Sequence, residues 1–420
     1  MKIKKIIITA WLLEVPGYSI WIEAQKWIKI FKNLGYEIEL LHGRDSRYPF
    51  LGRENKKLLD LQDGLFKKKI SYKDFINNNI VRDTYEKTMG LFEKKWQQEK
   101  FILVAENSFG PALNIPYSKG LFDAIKQYKI PTIARIHDFY VNFYTQYDTR
   151  IKDSIPELRN IYEARSKSIS KVFINKSDLV QAKKRKIREC YLIPNGFDFS
   201  ENISINHLYI NQIKSKIKYQ PSDLLFLQPT RIITRKRIED IIFIIYNLSN
   251  LIKRPIKLLI AGGFKEYNPE TINYQKMIFA KAKKHHVPVF ILRDLKVKFN
   301  IAEAYYLSDM VTLLSTEEGF GLPVLESCVY KKMLIVRRFP RFSVFENLEG
   351  GSLNFIKTKN FNHPWQWPKK ELDLFCQQIV QWINSKSKNR ILDNNYKITK
   401  KNFSIELTKE KLAEILRKIN

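Results

Sequence analysis

The sequence predicts an α/β protein built from two doubly wound parallel-sheet domains with a helical C-terminal segment. Three observations carry that expectation. Short Ile-, Val- and Leu-rich runs alternate with segments of helical period over most of the 420 residues. The runs are apolar throughout, as strands covered on both faces require. The series then restarts after a polar interval, and at about 150 residues per domain a chain of 420 makes two or three domains, each able to bury its own core.

In chain order, Ile6 to Ala10 reads as the first strand, Ser19 to Leu34 as an amphipathic helix stopped at Gly35, and Tyr36 to Leu41 as the next strand. Phe101 to Ala105, Thr132 to Ile136, Val172 to Ile174 and Tyr191 to Ile193 continue the series. The basic start and the apolar run to Leu13 imitate a secretory signal, but Glu14 and Pro16 cut the run short and no small-x-small site follows. A second series comprises Leu224 to Leu227, Ile256 to Ala261, Val289 to Leu292, Met310 to Leu314 and Leu334 to Val336. The polar stretch from Asn202 to Ser222 marks the junction, and the tail from Lys370 onward has helical period without strand signals. The expected division is 1–202, 203–385, and a helical segment 386–420 packing back toward the first domain.

Composition narrows the class. With 44% hydrophobic and 28% charged residues, the chain is neither low-complexity nor wholly disordered. Three scattered cysteines, Cys190, Cys328 and Cys376, form no disulfide framework or metal spacing, so a reducing, cytoplasmic setting is expected. No apolar run is long enough to span a bilayer. Seventy-three Lys and Arg against 43 Asp and Glu give a net charge of +30, which favours anionic partners or reflects a Lys-rich bias.

The most informative segment runs from Ser315 to Glu326. It follows a strand and opens a helix at Pro323, where a missing N–H costs nothing. Gly319 and Gly321 allow close backbone approach, and a helix N-terminus offers unpaired N–H groups to an anion. Glu326, placed in the first helical turn, suits a vicinal diol such as ribose, while Glu318 sits in the loop before it.

The run Glu318-Gly-Phe-Gly-Leu-Pro-Val-Leu-Glu326 resembles the E-x7-E signature of retaining glycosyltransferases of the GT-B fold, family-4 type. Three further segments fall in the order of that family: Ile193-Pro-Asn-Gly-Phe-Asp198, Arg231-Ile-Ile-Thr-Arg-Lys236, and Leu258-Leu-Ile-Ala-Gly262. The resemblance implies two Rossmann-like domains facing a central cleft, with a nucleoside diphosphate sugar held mainly by the second. It implies that Arg231 and Lys236 grip the donor diphosphate and that Glu326 holds the nucleotide. Glu318 is then placed near the donor sugar without being a covalent nucleophile, since such enzymes react on one face with the leaving phosphate assisting the acceptor. Gly319 and the backbone amides of Phe320, Gly321 and Leu322 are placed at diphosphate or sugar, and His137 at the transferred sugar. After the first strand, where the family often has Gly-Gly, only Gly17 follows Pro16, so close approach on the acceptor side is expected at Gly17 alone.

A narrower similarity joins Glu106-Asn107, Asn114-Ile-Pro116 and Ile133 to Tyr140 to a subgroup making small glycosides such as mannosylglucosylglycerate. By that similarity Glu106 and Asn107 lie near the acceptor, a small anionic glycoside or other glycan. The six histidines show no ligand spacing, and the implied mechanism uses basic side chains and helix dipoles, with no metal and no cofactor. The expectation is a cytoplasmic retaining hexosyltransferase. Two other readings stay open: peripheral attachment to an anionic membrane with a lipid-linked acceptor, using Trp21 and Trp27 on the first helix, and nucleic-acid binding, which no signature accompanies.

Overall fold

The computed structural model describes residues 3–10, 13, 19–43, 45–51, 56–66, 69–110, 114–139, 156–200, 203–262, 269–358 and 362–419. The chain divides into two compact units. The first is Met1–Gly196 with Ile405–Asn420, and the second is Phe197–Ser404.

In the first unit β1 (Lys5–Ala10), β2 (Glu37–His42), β3 (Ile102–Glu106), β4 (Thr132–Ile136), β5 (Ile169–Phe173) and β6 (Cys190–Leu192) form one parallel sheet in the order β2-β1-β3-β4-β5-β6. Alternate side chains of each strand enter separate cores. Ile6, Ile8, Ile102 and Val104 pack with Ala24, Trp27 and Phe31 of the helix Ser19–Asn33, and with Leu412, Ile415 and Leu416 of the last helix, Ile405–Ile419. Ile7, Leu103, Ala105 and Ala134 face the other way, against Phe92 of the helix Asn79–Gln98 and Leu121 and Ile125 of Ile115–Tyr128. Both faces are covered, which is why these strands lack polar alternation. Trp27 is turned into the core and 1% exposed, so the apolar face of the first helix is occupied by its own sheet.

The second unit has β7 (Leu224–Gln228), β8 (Ile256–Ile260), β9 (Val289–Ile291), β10 (Met310–Leu313), β11 (Met333–Arg337) and β12 (Ile356–Thr358) in the parallel order β12-β11-β10-β7-β8-β9. Leu224, Phe226, Leu258, Met310 and Ile335 pack against Ile241, Ile242 and Ile245 of Ile238–Ile252 and against Leu372, Phe375 and Ile379 of Lys369–Asn384. Among the described residues no helix is long and apolar enough to cross a membrane.

The tail does not behave as one segment. The helix Lys388–Phe403 stays with the second unit, whereas Ile405–Ile419 belongs to the first. The polar stretch after Asn202 also lies inside the second unit: it folds into the helix His207–Lys216, capped by Asn206 and burying Ile210 and Ile213. The segments that enter and leave this unit are paired, with Phe197 N–H donating to Phe403 O at 2.8 Å. The edge strand β12, which points Lys357 outward, escaped sequence detection because three residues show no period.

Both sheets have a point where strand order reverses, between β1 and β3 in the first and between β7 and β10 in the second. Open α/β sheets bind ligands outside the carboxyl ends of the strands at such points.

Leu412→Ala removes a fully buried side chain from the core shared by the last helix and β1. Denaturant unfolding is expected to show a loss of about 2–5 kcal/mol.

Candidate active site

The loop after β7 carries Arg231 to Lys236, and the loop after β10 carries Ser315 to Gly321, so the two sequence motifs meet at the switch point of the second sheet. They are tied side chain to side chain. Lys236 Nζ donates to Glu318 Oε1 at 2.5 Å, and both residues are buried, at 4% and 7% exposure. Arg235 Nη1 donates to the Glu317 carbonyl at 2.6 Å and lies 3.6 Å from Glu318 Oε2. The Thr316 amide donates to the Arg235 carbonyl at 2.9 Å. From below, the buried Arg341 donates to the Glu318 carbonyl at 3.3 Å.

Burial pushes the Lys236 ammonium down to about 8; Glu318 opposes that shift, while the nearby charges of Arg235 and Arg231 add to it. Burial acts to raise the Glu318 carboxyl, but the charges of Lys236 and Arg235 overcome it and hold the group below its usual value. The pair is therefore ionic at neutral pH, and Arg231 lies close enough for its charge to be felt there.

Two glycines make the loops possible. A Cβ on Gly262, just past β8, would lie 2.2 Å from the carbonyl carbon of Thr230, so the backbone leading to Arg231 runs directly against it. Gly321 has φ +94, and a Cβ there would meet Phe339 Cζ at 2.6 Å. The helix Leu322–Val329 follows with no side-chain cap. Phe320 is anchored inward, its ring 5.2 Å from that of Phe345. Glu326 is the fifth residue of this helix rather than a member of its first turn. It does not join Glu318: its Oε2 accepts the Tyr305 hydroxyl at 2.6 Å, and Tyr305 stacks on Tyr330 at 4.8 Å. Burial raises Tyr305 well above the usual phenol value, which keeps it a donor.

In the first unit, Glu106 ends β3 and His137 follows β4. His137 Nε2 lies 2.5 Å from Glu106 Oε1, which also accepts from Arg135 Nη1 at 3.2 Å. Arg135 Nη2 donates to Glu23 Oε2 at 3.0 Å and to Asn195 Oδ1 of the Pro-Asn-Gly turn at 2.9 Å. Lys26 closes the chain on Glu23 Oε1 at 2.5 Å. The arginine stacks over Trp27, 4.3 Å from the ring centre. Asn107, at φ 49, accepts the His137 amide on Oδ1 at 3.1 Å. Gly17 lies outside the described residues.

Sequence reasoning missed Tyr305, Arg341, Glu23 and Arg135. A signal existed for the last two: Arg135 is a charge inside the fully buried strand Thr132–Ile136, and Glu23 lies among the buried positions of an apolar helix face. Among the described residues, Glu239, Asp240 and His363 bring ligand-type atoms within 4.8 Å of one another. Asp240 is already bound by Arg337 at 3.0 Å and Arg237 at 2.8 Å, and Glu239 by the Tyr274 hydroxyl. Two guanidinium groups make this a salt-bridge cluster rather than a cation site.

Residues 210–350, which contain both loops, match the family described as glycosyl transferases group 1. The chain is 23% identical over 429 aligned positions to mannosylglucosylglycerate synthase of Thermotoga maritima, covering 93% of this chain and 95% of that protein. A glycosyltransferase from Rickettsia africae superposes with a TM-score of 0.65 at 17% identity, covering 100% of this chain and 99% of that one. HepE from Anabaena, solved with UDP-glucose, gives 0.63 at 13% identity with 99% of each chain covered. The fold is GT-B, and the matches together support a glycosyltransferase.

Gly262→Ala and Gly321→Ala are each expected to lower stability by about 1–3 kcal/mol in urea unfolding, from overpacking against backbone or a buried ring. Gly90→Ala, in a helix with open space around it, is the control and is expected to be neutral or stabilising.

Proposed function

We propose that the chain is a retaining glycosyltransferase that moves a hexose from a nucleoside diphosphate sugar to a hydroxyl acceptor. The observation that carries this reading is the buried Lys236–Glu318 pair at the β7/β10 switch point, flanked by Arg231 and Arg235. Fixed positive charge there suits a diphosphate both in the ground state and as it departs. Arg231 and Lys236 hold that diphosphate and neutralise it, a task that needs no divalent cation.

Glu326, oriented by Tyr305, accepts hydroxyls of the nucleotide ribose. The amides of Gly321 and Leu322 and the loop at Gly319 and Phe320 lie beside the phosphates or the sugar. Glu318 is committed to Lys236 and 7% exposed, which suits an electrostatic partner near the donor sugar rather than a nucleophile. His137 lines the reacting sugar. Likeness to mannosylglucosylglycerate synthase over 93% of the chain favours a small anionic glycoside as acceptor or product.

Thermal unfolding with UDP, GDP, ADP and their sugars tests the reading. One nucleotide series at about a hundred times its Kd is expected to add about 2.7 kcal/mol. Glu326→Ala is expected to weaken that nucleotide about ten- to a hundredfold, through loss of charge-assisted hydrogen bonds. A panel without any nucleotide response in the wild type would end the proposal.

The lysine gives a pH signature. Above about 8 the Lys236 ammonium loses its proton. Nucleotide diphosphate affinity should therefore fall about three- to tenfold between pH 7 and 9 as that cation is neutralised. Calorimetric titration measures this directly, and Lys236→Arg should flatten the dependence because a guanidinium stays charged.

A further inference from the structure

We propose that Arg165 and Arg185, fixed on the buried carboxylate of Glu163, form a binding site for a phosphate group at the amino end of the first sheet. The site is separate from the glycosyl-transfer machinery and does not depend on that reading. Arg165 lies in the turn between the helix Pro156–Tyr162 and β5, and Arg185 ends the helix Lys176–Lys184 ahead of β6. Both turns precede their strands in a parallel sheet. They therefore lie at the end opposite Glu106, which closes β3, and His137, which follows β4. Glu163 is 1% exposed. Its Oε2 accepts from Arg165 Nε at 2.5 Å, and its Oε1 accepts from Arg159 Nε at 3.2 Å and Arg185 Nη1 at 3.3 Å. Arg165 Nη2 donates to the Arg185 carbonyl at 2.9 Å, which ties the two turns together. A buried carboxylate needs charged partners to offset its lost hydration, and here one carboxylate faces three guanidinium groups.

The surplus of positive charge is what calls for a ligand. Arg165 is half-buried, and its Nη1, which carries two N–H groups, has no partner among the described residues. Lys167, Lys186 and Arg188 stand exposed on the same two turns, and their side chains likewise have none. Residues 156–191 hold ten Lys and Arg against four Asp and Glu, a surplus more than twice as dense as the +30 of the 420-residue chain. The buried Lys171 of β5 is lowered to about 8, chiefly by burial; Cys190 and Glu189 oppose that shift, and the charge of Arg165 adds to it. A phosphate group supplies several acceptor oxygens and more than one negative charge, which suits paired guanidinium groups better than a single carboxylate does. Arg165 is already oriented by Glu163 and the Arg185 carbonyl, so little side-chain freedom is lost when a ligand arrives. The phosphate belongs either to a soluble phosphorylated molecule or to a lipid headgroup, and the chemistry of the contact is the same.

Inorganic phosphate is the probe, read at the Nε–H signals of Arg165 and Arg185 in nitrogen-15 NMR of the full chain at constant ionic strength. These signals are local, so phosphate bound near Lys236 does not move them. A saturable shift with phosphate and none with chloride is expected; no shift, or equal responses to the two ions, would overturn the proposal. In Arg165→Gln, whose folding is checked by its melting curve, the affinity read at Arg185 is expected to fall about tenfold or more. Arg165→Lys keeps the charge without the fork and is expected to lose less. Unchanged affinity in both variants defeats the assignment. Co-sedimentation with phosphatidylcholine vesicles, with and without phosphatidylglycerol, then identifies the source. Pelleting that requires both phosphatidylglycerol and Arg165 assigns the phosphate to a lipid headgroup. A phosphate shift without pelleting assigns it to a soluble phosphorylated ligand.

Discussion

A buried ammonium facing a buried carboxylate is costly unless geometry and further hydrogen bonds satisfy both ions. The Lys236–Glu318 contact meets that condition by recruiting neighbours from both loops. Arg235 reaches across to the Glu317 carbonyl, and Arg341 supports the Glu318 carbonyl from beneath. The loop after β7 and the loop after β10 thus have one joint conformation, and the strand order alone brings them side by side. The ammonium of Lys236 is thereby held in one orientation by the protein itself. The lowered Lys236 follows from the same burial that makes the contact strong.

The first unit solves a related problem with a longer chain of alternating charge. Lys26, Glu23, Arg135 and Glu106 lead from the helix Ser19–Asn33 through β4 to β3 and end on His137. Removing one member of such a chain leaves an uncompensated buried charge, a cost of about 3–5 kcal/mol. Its geometric effect is to fix one ring nitrogen of His137. Stacking of Arg135 on Trp27 ties the chain to the core that the last helix also completes. Packing of the hydrophobic layer and orientation of a polar side chain are thus one problem in this half of the molecule.

The legible part of the fold was the part with a period. Strands such as Ile6 to Ala10 and Leu224 to Leu227 are long apolar runs, and both sheets came out as two-sided parallel layers. What failed lacked a local signal. The edge strand Ile356–Thr358 is too short to show alternation. The helix His207–Lys216 was hidden in a polar stretch because only Ile210 and Ile213 face inward. Nothing in the tail marks the change of unit at Ser404, since the helices on either side have the same period. In the site, Arg231, Lys236 and Glu318 could be indicated only by resemblance to a family motif, since basic residues are frequent and spacing alone says little. Their supports could not, because Tyr305 and Arg341 reach the motif through the tertiary fold.

The two glutamates of the eight-residue spacing show what a motif conceals. On paper Glu318 and Glu326 look like paired acids. In the fold a left-handed glycine and a helix start lie between them, and each acid is claimed by a different donor. Lys236 holds the first as an ion pair, and the Tyr305 hydroxyl holds the second as a neutral hydrogen bond. The difference matters chemically. An acid paired with an ammonium presents little net charge, whereas the hydrogen bond of a neutral phenol does not neutralise the acid it holds. The spacing therefore separates an ion-paired carboxylate from one held by a neutral donor, and Gly321, with no room for a Cβ beside Phe339, lies between them.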